Sequence, residues 1–185
     1  MRRGKLRAVA VYCGAGKPKD LRLLDTARAF GERCARRGIT VVYGGTRVGL
    51  MGALADGALE AGGQVVGVLP DVLTEREIGH LGLTELVLTK SLHERKAAML
   101  ERADACVALP GGIGTFDELF EAWTWRYLGV HDKPVGLLDA FGFYQHLVQF
   151  LGSVEEAGLL SRSSSQMLVV RREAEELLDA LEQAT

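Results

Sequence analysis

Apolar positions along this chain follow two alternating patterns. Short, unbroken apolar runs read as strands: Leu6–Cys13, Ile39–Tyr43, Gln64–Leu69, Thr84–Leu88, Ala103–Leu109, Pro134–Leu138 and Met167–Val170. Between them the apolar spacing lengthens. Leu24, Ala27, Phe30, Gly31 and Cys34 recur at three- and four-residue steps, which predicts a helix from Asp20 to Arg37 ended by Gly38. Helices are likewise expected over Leu50–Ala61, Leu92–Arg102, Phe116–Leu128, Phe143–Leu151 and Glu173–Leu181, with a short helical piece at Val154–Leu159. Asp71–Gly82 is polar and irregular, with Glu75, Arg76 and Glu77 inside it. Strands that are apolar throughout are covered on both faces, and their alternation with helices points to a parallel sheet. The pattern predicts an α/β fold, a doubly wound parallel sheet of about seven strands in a three-layer α/β/α sandwich. Ligands in such folds bind beyond the carboxyl ends of the strands, and every glycine-rich loop here follows a strand.

The most chemically specific of these loops is Pro110-Gly111-Gly112-Ile113-Gly114-Thr115, with Glu118 just after it. Its glycines let a ligand approach the backbone, and the N–H groups of a helix start attract anions. Thr115 and Glu118 also fit a capping box, Thr115 as N-cap, so spacing alone leaves both readings standing. On the helix that follows, Phe116, Leu119, Phe120, Trp123 and Tyr127 share one face, expected to pack on the sheet. Glu118 then falls on the opposite side, beside Glu121, Ala122 and Trp125. Trp125 and Leu128 are too apolar for a wholly solvated face, which a second subunit would cover.

The helix from Leu92 carries a second anomaly. Ser91 and Glu94 fit a capping box, but Arg95 and Lys96 then fall in the first turns, where the helix dipole disfavours cations. Both also stand three or four residues from Leu92 and Met99, near the apolar stripe. An anionic ligand would account for them, and so would a salt bridge to Glu77 or Glu118. The loops around Gly14 and around Gly44 and Gly45 are less specific, matching neither a Walker loop nor a dinucleotide fingerprint. Converging on one edge, these strand-end sites suggest a nucleotide-sized cleft.

Composition narrows the field by exclusion. The chain has 185 residues, 48% hydrophobic and 25% charged, with a net charge of -2, which fits one soluble domain and no basic nucleic-acid footprint. No apolar run reaches the roughly 20 residues a membrane span needs. Cys13, Cys34 and Cys106 are scattered through apolar segments, and none has ligand spacing with a histidine. The expectation is no structural metal and a reducing, cytoplasmic setting.

With these residues assembled, Pro110–Glu118 resembles the PGGxGTxxE signature of the LONELY GUY (LOG) family. These are cytokinin riboside 5′-monophosphate phosphoribohydrolases, also labelled lysine decarboxylase-like. Arg95-Lys96 with Met99 resembles the family's RKxxM segment, and Tyr43-Gly44-Gly45 with Val48–Gly52 its YGGGxxGLMG loop. Arg76-Glu77-Ile78 and His131-Asp132-Lys133-Pro134-Val135 are similar to further family segments, so the likeness covers nearly the whole chain. Thr46-Arg47, Ala15-Gly16, Ser91 and Leu92 depart from the usual residues.

The resemblance implies a Rossmann-like nucleotide-binding domain over residues 1–185, assembled as a homodimer through the helix carrying Trp125 or as a higher oligomer. It implies hydrolysis of the N-glycosidic bond of AMP or an N6-modified AMP to a purine base and ribose 5-phosphate, with no cofactor. Arg95 and Glu118 would be the catalytic pair. Glu77, Lys96 and the turn of Gly111, Gly112, Gly114 and Thr115 would bind the nucleotide, with Gly14, Gly44 and Gly45 contributed by the earlier loops. Two other classes compete. A pyridoxal-phosphate lysine decarboxylase would need a Schiff-base lysine that no motif here nominates. A carrier of molybdenum cofactor, or a nucleotide sensor, would use the same loops without turnover.

Overall fold

The side chains of the first strand divide the molecule into two cores. In the computed structural model, which describes residues 5–71 and 79–185, β1 (Ala8–Tyr12) runs through the middle of the sheet. Val9, Val11 and Cys13 point to one side and Ala10 and Tyr12 to the other, as the two-residue period of a strand requires. The remaining elements follow as α1 (Arg22–Arg36), β2 (Thr40–Tyr43), α2 (Gly49–Glu60), β3 (Val65–Pro70), β4 (Glu85–Thr89), α3 (Leu92–Glu101), β5 (Ala105–Ala108), α4 (Ile113–Tyr127), β6 (Val135–Leu138), α5 (Gln145–Glu156), α6 (Arg162–Ser165), β7 (Leu168–Arg171) and α7 (Ala174–Ala184).

The strands form one seven-stranded sheet in the order β4-β3-β2-β1-β5-β6-β7, with every neighbouring pair parallel. Phe30 and Cys34 of α1, Leu54 of α2 and Leu177 and Leu181 of α7 cover one face. Met99 of α3 and Leu119 and Trp123 of α4 cover the other, together with Tyr144. This is the three-layer, doubly wound α/β arrangement expected from the alternation of runs. Successive strands step one way from β1 to β4 and the other way from β5 to β7. The crevice of such a sheet therefore opens between the carboxyl ends of β1 and β5.

Helices α1 and α2 cross at very close range. A Cβ on Gly31 would collide with the Leu54 carbonyl, and one on Gly57 with the Arg28 carbonyl. Among the described residues no helix is long and apolar enough to cross a membrane.

Three local expectations are corrected. First, α4 starts at Ile113 rather than Phe116, because Ile113, Gly114 and Thr115 already have helical geometry behind an extended Gly112. Its buried positions are Thr115, Glu118, Leu119, Ala122 and Trp123. The packed face is thus rotated from the one expected: Glu118 and Ala122 lie on it, while Phe120 and Tyr127 are 36% and 59% exposed. Second, α5 runs unbroken through Gly152, where a gap was expected; a Cβ there would meet nothing, so glycine serves no turn at that position. Third, α6 forms because Ser161 caps it, its hydroxyl accepting from Ser164 N at 3.1 Å. The Trp123 indole donates to the Ser164 carbonyl at 3.0 Å and fixes α6 to α4.

Candidate active site

Two backbone turns meet at the crevice. Gly14 N, just past β1, donates to the Pro110 carbonyl, just past β5, at 3.2 Å. The contact is tight enough that a Cβ on Gly111 would lie 3.0 Å from Gly14 N and would collide with the Thr115 hydroxyl. Beside this crossing lies a cleft of about 560 Å³, lined by Gly14–Pro18, Leu50, Met51, Arg95, Gly111, Gly112, Gly114, Thr115 and Glu118, among others.

The helix starts on either side of the crossing differ. At α2, Leu50 N and Met51 N both donate to the Gly14 carbonyl, at 2.9 and 3.3 Å, so two of the three leading amides are satisfied within the protein. At α4 the first internal bond is Phe116 N to Gly112 O at 3.1 Å. The N–H groups of Ile113, Gly114 and Thr115 ahead of it have no acceptor among the described residues. A Cβ on Gly112 or Gly114 would meet nothing within 4 Å, so these glycines leave room for a ligand. Three orphan donors at the positive end of a fifteen-residue helix make an anion site.

Thr115 is the third helical residue, not the N-cap, so the capping box with Glu118 does not form; the cap position is Gly112. Glu118 instead lies on the packed face one turn into the helix, lining the cleft yet only 7% exposed. Its carboxylate has no hydrogen-bond or ion-pair partner among the described residues. Burial raises its pKa from the ordinary 4.5 to about 7, with Arg95 pulling it down, Asp117 pushing it up, and smaller opposing contributions from Lys96 and Glu121.

Among the described residues Arg95 is held by backbone carbonyls rather than by a carboxylate. Its Nε donates to Val68 O at 3.1 Å and its Nη2 to Gly44 O at 3.2 Å. Gly44 makes this seat: a Cβ there would collide with Nη2 and crowd Met51. The guanidinium has five donors, more than these two carbonyls use, and Arg95 lines the cleft. Ser91 caps α3 as expected, accepting from Glu94 N at 3.1 Å, and Glu94 returns to Lys90 N at 2.8 Å, one residue beyond the usual box. Both cations are buried, Arg95 at 6% and Lys96 at 9% exposure, as their place on the apolar stripe predicts.

Lys96 turns away from the cleft. Its Nζ bonds Asp117 Oδ2 at 3.0 Å and Glu121 Oε2 at 2.8 Å, carboxylates one turn apart on α4. Burial works to lower its pKa, but the bonds to Glu121 and Asp117 prevail and raise it.

The structure thus brings Gly14, Arg95, Gly111, Gly112, Gly114, Thr115 and Glu118 to one cleft. Gly44 lies behind Arg95. Gly45, at φ 82°, packs against Val68 and Leu69. Glu77 lies outside the described residues. Thr46, a departure from the family pattern, is fully buried: its hydroxyl donates to Met51 Sδ at 3.4 Å and its carbonyl accepts from the Tyr43 hydroxyl at 3.1 Å. Sequence reasoning missed the turn after β6. Phe143 lines the cleft, and the Tyr144 hydroxyl donates to Leu109 O at 2.7 Å, directly before the glycine turn. The available signal was its position: β6 ends at the same sheet edge as the glycine loops, and aromatic residues follow it.

Comparison with known proteins places this geometry in a group. A family model described as "Possible lysine decarboxylase" matches residues 51–181. The cytokinin riboside 5′-monophosphate phosphoribohydrolase of Mycobacterium tuberculosis is 44% identical over 162 residues, 88% of this chain and 86% of that protein. Its namesake from Rhodococcoides fascians is 40% identical over 176 residues, 95% and 89% of the two chains. Among solved structures, the molybdenum cofactor carrier protein from Chlamydomonas reinhardtii superposes with a TM-score of 0.73 at 26% identity, over 98% of both chains. The carrier shares the layout of sheet and loops, and the phosphoribohydrolases share far more of the sequence. The chain belongs to the "Possible lysine decarboxylase" family, as a member of its LOG group.

Proposed function

We propose that this protein is a nucleoside 5′-monophosphate phosphoribohydrolase, cleaving the N-glycosidic bond of AMP or an N6-modified AMP to a purine base and ribose 5-phosphate. The observation that carries the reading is Glu118: a buried carboxyl in the same cleft as three amides of a helix start, all of them unpartnered among the described residues. The phosphate sits on the amides of Ile113, Gly114 and Thr115. Glu118 then faces the sugar. As the bond from C1′ to the base nitrogen breaks, the base leaves with the bonding pair and positive charge builds on the ribose. Ionised Glu118 offsets that charge and accepts a proton from the water that adds to C1′. The departing base takes its proton from solvent, and Glu118 returns water's proton to solvent, so the overall hydrolysis balances. A carboxyl with a pKa of about 7 suits this exchange near neutral pH. Arg95, fixed by Val68 and Gly44, orients the ligand and holds charge next to Glu118 rather than giving up a proton.

Incubation with AMP and with isopentenyl-AMP should release free base and ribose 5-phosphate, and Glu118→Gln should abolish release in a protein that still melts cooperatively. Nucleotide that is bound but returned intact would refute the hydrolase and favour the second reading, a carrier like the Chlamydomonas protein of the same fold. A Glu118→Gln variant that turns over normally would remove this carboxyl from the mechanism.

The same reading includes a single Rossmann-like domain acting in the cytoplasm as a homodimer through the helix that carries Trp125. Exposed Phe120 and Tyr127 of that helix line one surface with exposed Leu159 and support the dimer, because an apolar face gains from being covered. Sedimentation would test it: a monomer at micromolar concentration refutes the assembly and leaves the chemistry standing.

A further inference from the structure

The turn after β6 is built unlike any other among the described residues. Phe141 is the one non-glycine residue at positive φ among the described residues, at φ 56° and ψ 21°, and Gly142 follows at φ 74°. An aromatic residue seldom adopts the left-handed region, and such strain persists where surrounding contacts enforce it. Here they do. Gly142 N donates to Asp139 O at 3.2 Å and Phe143 N to Ala140 O at 3.0 Å. Asp139 Oδ1 accepts from Tyr144 N at 2.6 Å, and the Tyr144 hydroxyl ties the turn to Leu109 at the end of β5. On the outer side the Arg22 guanidinium lies 4.5 Å over the Phe141 ring and is itself paired with Asp20, at the start of α1. The turn is therefore anchored to both walls of the crevice.

What the anchoring holds in place is Phe143. Its ring meets Tyr144 edge-on, with centroids 4.8 Å apart, and lines the cleft together with Gly112, Thr115 and Glu118. Phe143 is 43% exposed, and it is the one aromatic among the described residues lining that cleft. The amide donors of α4 suit a phosphate and the carboxyl of Glu118 suits a sugar. A planar ring suits the remaining part of a nucleotide, its base, because π faces stack. Pro18 and Leu23 line the same cleft and extend its apolar surface.

We propose that Phe143 is a specificity-determining residue of this site, the wall against which the purine base lies, aimed there by the left-handed turn at Phe141 and Gly142. This rests on the nucleotide reading above.

The test separates base from sugar phosphate. Calorimetric titration of Glu118→Gln with AMP and with ribose 5-phosphate gives the reference affinities. Adding Phe143→Ala should weaken AMP by about tenfold or more and leave ribose 5-phosphate within about twofold, as loss of one base-stacking contact predicts. Phe143→Tyr should restore AMP binding, and Phe143→Leu, which keeps bulk without a π face, should fall between. With Glu118 intact, Phe143→Ala should raise KM for AMP far more than it lowers kcat. Undiminished AMP binding by the alanine variant would overturn the proposal. So would equal weakening of both ligands, or a tyrosine variant as weak as alanine. If Glu118→Gln binds neither AMP nor ribose 5-phosphate, the nucleotide reading itself is wrong, and the role of Phe143 falls with it.

Discussion

Replacing Glu118 by glutamine should make the protein more stable, increasingly so as pH rises. Among the described residues the carboxyl is buried without a partner, and burial lifts its pKa from 4.5 to about 7. The folded chain therefore holds this proton more tightly than the unfolded chain does. Stability linked to the proton is fully present below about pH 4.5, falls as pH rises, and is gone above about pH 7. Each tenfold difference in proton affinity is worth about 1.4 kcal/mol, so the wild type forfeits roughly 3 kcal/mol across that window. At 7% exposure the group is too buried for solvent screening to erase the effect. Glutamine has no proton to lose. The stability gap between Glu118→Gln and wild type should widen by roughly 3 kcal/mol between about pH 4.5 and about pH 8, on top of any constant offset. In a chain of this length that is on the order of 10 °C in melting temperature. Urea unfolding followed by tryptophan fluorescence at several pH values measures the gap directly, since other titrating groups cancel in the difference. A gap that stays constant with pH would show that the carboxyl is not desolvated as described, and the electrostatic part of the mechanism would go with it.

Other outcomes follow from single contacts. Gly44→Ala places a methyl group where Arg95 Nη2 sits, so turnover should fall by about a hundredfold while the melting temperature moves little; unchanged kinetics would show that the arginine seat does not matter. Gly57→Ala drives a methyl group into the Arg28 carbonyl of α1 and should cost about 3 kcal/mol in a chemical denaturation, because neither helix backbone can yield cheaply; a neutral result would refute the close crossing. Ser91→Ala removes the cap on α3 and should cost about 1 kcal/mol in the same assay, with KM for nucleotide nearly unchanged.

The layered sheet was legible because buried strands and half-buried helices write different periods into the chain. The burial of Arg95 and Lys96 was legible for the same reason: a cation on an apolar stripe breaks the pattern. Glu118 was harder. A carboxyl is ordinarily assigned to the wet side of a helix, and taking the exposed Phe120 and Tyr127 of α4 as packed positions turned the expected face away from Glu118. Ile113 and Gly114 look like loop residues, yet a helix that opens on them exposes its amides. The partners of Lys96 were open to inference, since Asp117 and Glu121 stand four apart and share a face. Nothing in local pattern gave the distance between α3 and α4 that lets them meet. The turn bearing Phe143 was missed because it lacks the glycine-rich spelling of the other loops, and because beside its local bond to the Asp139 carboxylate it is held by a long-range one to the Leu109 carbonyl.

The bridge from Lys96 to Asp117 and Glu121 has a consequence for the time course of binding. It braces the helix that carries Arg95 against the helix that carries Glu118. With Arg95 seated on two carbonyls and the glycine turn tied to Gly14, these groups hold their spacing before any encounter with ligand. Their ordering cost is met during folding, so capture involving them needs no slow rearrangement. Stopped-flow traces on the Glu118→Gln protein should then be single exponentials whose rate rises in proportion to nucleotide concentration, without a plateau.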